Sequence, residues 1–144
     1  LRVIESDKIL INGFEVDHKL MEHYEGSVAY KITLRGKTIV YASDVADIAT
    51  LQDDTVKFCM GAHLLIWDSL YTPEQINNVT KHKHTAIDSV IMLAKKADVP
   101  RVLHFHHSPL SDDKTLLRHE NIAKELAGSH VKSEFAREGM IIEL

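Results

Sequence analysis

The sequence lacks the features that would place the protein in a membrane or in an oxidising compartment. Cys59 is the single cysteine, so there is no internal disulfide framework, and a reducing compartment is indicated. No apolar run approaches the roughly 20 residues that a membrane-spanning helix requires. The start, Leu1-Arg2-Val3-Ile4-Glu5, lacks the charged and apolar regions of a signal peptide. These absences predict a cytoplasmic protein without a membrane partner.

Positive charge is also scarce. The 17 Lys and Arg residues are outnumbered by 21 Asp and Glu residues, which gives a net charge of −4 at pH 7. A chain with this balance has no general attraction to nucleic acid, so a long nucleic acid is disfavoured as a partner. The remaining composition, 44% hydrophobic and 26% charged over 144 residues, predicts a single domain, 1–144, with its own core.

The hydrophobic pattern changes partway along the chain. Residues 1–44 show the alternation of half-buried strands, with a hairpin turn at Arg35-Gly36-Lys37. The later residues alternate between helix and strand, and Thr72-Pro73 carries a helix-start signal. A last strand is predicted at residues 140–144. This order predicts an α/β (α+β) fold in which a mixed sheet has helices on one face.

Two predicted strands end in residues that can bind metals. The apolar run 101–105 leads into His106 and His107, and the strand 37–43 leads into Asp44. In α/β proteins the carboxyl ends of strands carry sites, because the sheet holds the following side chains still. Imidazole and carboxylate together indicate a transition-metal site with nitrogen and oxygen ligands, which suits zinc, manganese or iron.

An ordered set of short segments extends this pattern along the chain. It begins with His23 and the strand that ends at Asp44, and it continues through Leu64-Leu65-Ile66-Trp67-Asp68-Ser69, Tyr71-Thr72, His84-Thr85, His106-His107-Ser108-Pro109 and Ala136-Arg137-Glu138-Gly139-Met140. This order resembles the carboxyl-terminal half of a metallo-β-lactamase-fold hydrolase, in the phosphodiesterase-like branch that includes ribonuclease Z. The resemblance covers nearly the whole chain and implies half of an αββα sandwich.

The resemblance implies two divalent metal ions, with zinc foremost and manganese or iron as alternatives. It assigns His23 to the first ion, Asp44 to a position shared by both ions, and His106 to the second. A carboxylate suits the shared position because its charge offsets two cations about 3.5–4 Å apart. His107 competes with His106 for the second ion. His106 is preferred because Ser108-Pro109 then falls where the family has the turn that follows the ligand.

His84 is the catalytic candidate. Lys83-His84-Thr85 matches the Gly-His-Ser/Thr position of the family, where the imidazole faces the scissile phosphate and stabilises charge or protonates the leaving oxygen. Lys83 replaces the glycine of the family. A histidine that makes only a local hydrogen bond at the start of a helix is an equal alternative.

The His-x-His-x-Asp-His motif of the family is absent from this sequence. In the family it precedes the position of His23 and supplies ligands to both ions, so the chain alone offers about two ligands per ion. We therefore expect a metal-dependent hydrolase, a dinuclear phosphodiesterase that acts on a small phosphodiester through a metal-bridged hydroxide. We expect it to be inactive without an upstream amino-terminal half or a second copy as partner. The alternative is a non-catalytic half-fold module that binds a protein partner or a single metal.

Overall fold

A computed structural model describes residues 8–78 and 83–144, so residues 1–7 of the predicted β-region and His82 lie outside the described part. The strands are β1 (Lys8–Ile11), β2 (Phe14–Met21), β3 (Ser27–Leu34), β4 (Lys37–Ala42), β5 (Leu64–Asp68), β6 (Arg101–Phe105) and β7 (Lys132–Phe135). The helices are α1 (Asp47–Thr50), α2 (Asp53–Cys59), α3 (Pro73–Ile76), α4 (Ile87–Lys96) and α5 (Asp113–Ala127). None of these helices is long and apolar enough to cross a membrane.

The seven strands form one mixed sheet whose spatial order is the order of the sequence, β1 to β7. The pairs from β1 to β4 are antiparallel, and those from β4 to β7 are parallel. Because β2 and β4 are each antiparallel to β3, β2 runs in the same direction as β4, β5 and β6. The carboxyl ends of these four strands therefore meet at one edge of the sheet.

Local chemistry explains where the elements turn and begin. Arg35 and Gly36 join β3 to β4 with φ of 49° and 77°, as a tight hairpin turn requires. The Thr72 side chain accepts a hydrogen bond from Gln75 N while the Gln75 side chain accepts one from Thr72 N, which is a capping box at the start of α3. The hairpin and the helix start that the sequence predicts are both confirmed.

The hydrophobic core lies on one face of the sheet, where the helices pack. Strand residues that share this face by register pack against α1, α2, α4 and α5; they include Ala29, Val40, Ala42, Leu65, Trp67, Val102 and Phe135. Alternation along the strands directs these side chains to one side and their neighbours to the other. The predicted architecture, a mixed sheet with helices on one face, is confirmed.

The opposite face, here called the open face, is apolar as well. It carries Leu64 and Leu103, which are buried, but also Leu20 at 76% exposure, Phe14 at 39% and Phe105 at 36%. Monomeric proteins rarely leave contiguous apolar patches larger than a few hundred Å² in contact with water. The open face is therefore a surface that favours a covering layer.

The prediction of a final strand at residues 140–144 is wrong. The last strand is β7, and residues 140–144 have no regular secondary structure. Gly139, with φ of 74°, lies within a turn in which Met140 N donates to Arg137 O, so the chain leaves the sheet edge. The sequence of this tail resembles a strand because most of its residues are apolar. In β7, by contrast, only Phe135 is a large apolar residue, so the pattern does not indicate a strand there.

Candidate metal centre

The candidate residues stand at the sheet edge where β2, β4, β5 and β6, four of the five codirectional strands, end. His23 lies two residues after β2, Asp44 lies two residues after β4, and His106 directly follows β6. Asp68 is the last residue of β5. The fold thus brings together residues that are far apart in sequence, at the carboxyl ends of strands where the sheet holds them in place.

Asp44 connects the two predicted imidazole ligands. Its Oδ1 lies 4.0 Å from His23 Nε2 and 3.4 Å from His106 Nε2. The His23 Nε2 atom is buried and has no hydrogen-bond partner among the described residues. A buried polar atom without a partner is costly, so it favours a ligand at this position.

The backbone at two of these residues is left-handed. Asp44 has φ of 56° and His106 has φ of 61°, each just beyond the end of a strand. This conformation costs a non-glycine residue roughly 1–3 kcal/mol and is concentrated at functional sites. Here it turns the chain at the strand end, where the two side chains approach each other.

Asp68 is a fully buried carboxylate whose hydrogen bonds are satisfied. Its Oδ2 accepts from Val45 N at 3.0 Å and pairs with His84 Nδ1 at 2.7 Å, and its Oδ1 accepts from Leu70 N at 3.3 Å. An ionised carboxylate can only accept, so His84 Nδ1 is the donor. Asp68 therefore fixes the orientation of the imidazole and leaves Nε2 of His84 for other partners.

His84 lies between the two predicted ligands. Its ring centroid is 5.3 Å from that of His23 and 4.9 Å from that of His106, on which it stacks. Thr85, next in sequence, is buried and donates from Oγ1 to Val45 O at 3.0 Å, which anchors the loop. The hydrogen bond to Asp68 raises the pKa of the His84 imidazole above its ordinary value.

The donor set fits a divalent transition-metal ion. Two groups of three ligand atoms lie within 4.8 Å of one another in the described part of the chain: His23, Asp44 and His84, and Asp68, His84 and His106. Two ligands of one tetrahedral zinc ion lie about 3.3 Å apart, because each bond is about 2.0–2.1 Å long. The 3.4 Å separation of His106 from Asp44 matches this spacing. Since Asp68 is already satisfied by three donors, Asp44 is the carboxylate available to an ion.

His107, the competitor of His106, lies elsewhere. Its ring stacks on Phe135 with a centroid distance of 4.5 Å and an interplanar angle of 2°. Burial lowers the pKa of its imidazole, which keeps the ring neutral. The geometry supports the preference for His106, and the ligand role of either histidine stays a prediction.

One further histidine has a structural role. His104 is fully buried, with Nδ1 2.7 Å from Ser69 Oγ and Nε2 2.9 Å from Ser133 Oγ. Burial lowers the pKa of its imidazole to about 3. The neutral ring thus links the ends of β5, β6 and β7 beneath the candidate site.

Sequence reasoning did not single out Asp68 as a site residue, although a signal for it exists. The apolar run 64–67 ends at Asp68 in the same way that the strand before Asp44 ends in a carboxylate. The sheet order shows that this signal matters, because β5 lies between β4 and β6 and its last residue, Asp68, therefore lies beside the ends of both strands.

Comparison with known proteins identifies the fold. No family model matches the sequence, and no curated protein matches it. Solved structures do match. A metallo-beta-lactamase fold protein, YhfI from Bacillus subtilis, is 21% identical with a TM-score of 0.73. Human tRNase Z, short form, is 19% identical with a TM-score of 0.68, and Zn(2+)-bound PqqB from Methylobacterium extorquens is 16% identical with a TM-score of 0.60.

These matches cover nearly all of this chain but about half of each relative. The chain is covered to 92%, 95% and 93%, whereas the shares of YhfI, tRNase Z and PqqB are 51%, 47% and 52%. At identities of this size the likeness establishes the fold. The activity must be argued from the site.

The first prediction concerns the Asp68–His84 hydrogen bond. In the metal-free protein, Asp68→Asn should lower the pKa of the His84 imidazole, because the change removes the negative charge that stabilises the protonated ring. In the native protein that stabilisation is complete below pH 6.5, the ordinary pKa, and is lost as the pH rises through the higher pKa of the folded protein. An NMR titration of the imidazole signals measures the change.

Asp98→Asn provides the control for this titration. It removes one carboxylate from the end of α4 that is remote from His84, so the His84 pKa should stay at its native value. An unchanged His84 pKa in Asp68→Asn would contradict the stabilisation of the protonated imidazole by the Asp68 carboxylate.

The second prediction separates His106 from His107. His106→Ala should lose about one metal ion per site, since it removes a ligand, whereas His107→Ala should keep the metal content of the native protein. Elemental analysis of the purified variants measures both contents. The reverse result would transfer the ligand role to His107.

Proposed function

The chain has the metallo-β-lactamase fold, and we propose that it forms the carboxyl-terminal half of a metal-dependent phosphodiesterase. The observation that carries the proposal is the convergence of His23, Asp44, His84 and His106 at one sheet edge, with Asp68 buried behind them. Imidazoles and carboxylates at such distances are the ligands and proton carriers of metal-assisted hydrolysis.

We assign the metal ions to His23, Asp44 and His106. Two ions are proposed, with Asp44 shared, because its Oδ1 lies 4.0 Å from His23 Nε2 and 3.4 Å from His106 Nε2. Zinc suits this set of nitrogen and oxygen donors, and PqqB among the relatives is described as Zn(2+)-bound. A divalent ion supplies Lewis acidity towards a phosphoryl oxygen and lowers the pKa of water towards neutrality.

His84 is proposed as the proton donor to the leaving oxygen. Its Nδ1 proton is held by Asp68, so the ring is oriented and Nε2 is the atom that can transfer a proton. In the metal-free protein the hydrogen bond to Asp68 raises the pKa of His84, and this direction suits a general acid. Asp68 acts through His84 and is a positioning residue.

A small phosphodiester is the proposed substrate. The relatives include a tRNase, which supports phosphodiester chemistry. The net charge of −4, however, provides no general attraction to a long polyanion. A compact diester needs only the ions and the imidazoles of the site to hold its charge.

We further propose that another layer covers the open face and completes the ligand set. Catalytic zinc sites usually have three protein ligands per ion, and the described residues assigned here offer fewer for two ions. The open face exposes Leu20, Phe14 and Phe105, and the relatives are about twice the length of the matched segment. An amino-terminal half or a second copy would supply both the covering layer and the missing ligands. The alternative, a non-catalytic module, requires that no such half supplies ligands.

The third prediction concerns Asp44. In the complete protein, Asp44→Ala should lower the turnover of bis(p-nitrophenyl) phosphate by about 100-fold or more and loosen both ions, because it removes the shared anion. Steady-state kinetics and elemental analysis measure the two effects. Asp44→Asn should cause the same loss of turnover and of metal, because asparagine tolerates the left-handed backbone but lacks the negative charge.

Asp98→Ala is the matched control. Asp98 has φ of 53°, so alanine meets the same backbone strain there, far from the site. This variant should retain activity and metal. Native metal content in Asp44→Ala would refute the assignment of Asp44.

The fourth prediction concerns the isolated 144-residue chain. Alone it should self-associate through the open face, bind metal weakly and show no appreciable phosphodiesterase activity. Leu20→Lys places a charge on the open face and should reduce the association, whereas Leu110→Lys, at a residue that is 94% exposed in a loop, should not. Sedimentation measures the association. A monomeric chain with two tightly held ions and full turnover would contradict the prediction.

A further inference from the structure

Lys83 and Tyr24 form a rim beside the candidate site. Lys83 directly precedes His84, and Tyr24 directly follows His23. The Lys83 ammonium lies 4.6 Å from the centroid of the Tyr24 ring, and Tyr24 is 75% exposed. Since the rings of His23 and His84 are only 5.3 Å apart, the residues of this contact adjoin the candidate site.

The contact positions the lysine without neutralising it. A cation over an aromatic face is attracted by the ring quadrupole and keeps its full charge. Four other lysines of the described residues pair with carboxylates, as Lys124 does with Glu120 at 3.2 Å. Within residues 8–78 and 83–144, Lys83 has no carboxylate at ion-pair distance. A held, unneutralised cation at the border of a site is suited to an anion from solution.

We propose that Lys83 binds an anionic group of the substrate that lies beside the phosphodiester to be cleaved. This inference rests on the proposed function and names its substrate class: a phosphodiester that carries a second phosphate or carboxylate. Tyr24 holds the ammonium in place. Lys83 is thus a specificity-determining residue, at a position where the sequence departs from the glycine of the resemblance.

The position of the ammonium favours a second anion over the scissile phosphate. The side chain extends to the exposed ring of Tyr24 and pairs with neither Asp44 nor Asp68. Metal ions and His84 already serve the phosphate at the centre. An anion beside that phosphate would meet the positive charge of Lys83.

The test uses the complete, metal-loaded protein and two matched substrates. One is thymidine 5′-(p-nitrophenyl phosphate), and the other is the same diester with an added 3′-phosphate. The native protein should prefer the phosphorylated substrate. Lys83→Met should lower the ratio of the two kcat/KM values about fivefold, the effect of one partly exposed ion pair. Lys83→Arg should restore the ratio, and higher salt should reduce it.

Further variants separate the role of the rim from unspecific charge effects. Tyr24→Ala should lower the ratio, whereas Tyr24→Phe should keep it, because the ring holds the cation. Lys96→Met, at the far end of α4, should leave both kcat/KM values at native levels. A native protein that cleaves both substrates, with the same ratio in Lys83→Met, would overturn this inference alone. A metal-loaded native protein that cleaves neither would overturn the proposed function as well.

Discussion

The buried carboxylate of Asp68 is the interaction on which the candidate site depends. It accepts hydrogen bonds from Val45 N, Leu70 N and His84 Nδ1, and so it joins the segments after β4, after β5 and before α4. A carboxylate without exposed surface is unfavourable unless donors satisfy it, and here three donors do. Asp44, with 41% of its side chain exposed, has no such donor set within residues 8–78 and 83–144 and remains available to cations. The two aspartates thus differ in burial: protein donors satisfy the buried Asp68, whereas the exposed Asp44 is accessible to other partners.

Much of the fold was predictable because its signals are local. The Arg35-Gly36 turn, the Thr72 capping box and the apolar strands each follow from a few neighbouring residues. Strand β7 was missed because Lys132, Ser133 and Glu134 are polar. Ser133 is nevertheless buried, and its hydroxyl forms a hydrogen bond with His104. The two residues are too far apart in sequence for a local pattern to reveal this contact.

The site was predictable in part, for a related reason. Asp44 and His106 end apolar strands and were recognisable from this pattern, whereas His23 has no such local signal. Its place depends on β2 running in the same direction as β4, which follows only from the pairing of both strands with β3. Asp68 became significant once β5 was seen between β4 and β6.

The open face and the candidate site are physically continuous. Phe105 and Tyr41 contact each other at 5.8 Å between ring centroids on the open face, and Phe105 directly precedes His106. A layer that packs on these rings would exclude water beside the imidazole and lower the local dielectric. Metal affinity and docking of a partner are therefore expected to be coupled, since each orders the same strand end.

The strands lie in the sheet in the same order as in the sequence, and this order affects how the sheet can form. Each strand adds to the edge left by the previous one, so no strand must be inserted between two that are already paired. Such growth forms the antiparallel hairpins of β1 to β4 from contacts close in sequence, before the slower parallel crossovers. His23 and Asp44 belong to the early part, and His106 arrives only with β6. If these residues bind a metal as proposed, the binding is expected to follow the formation of β6, late in the assembly of the sheet.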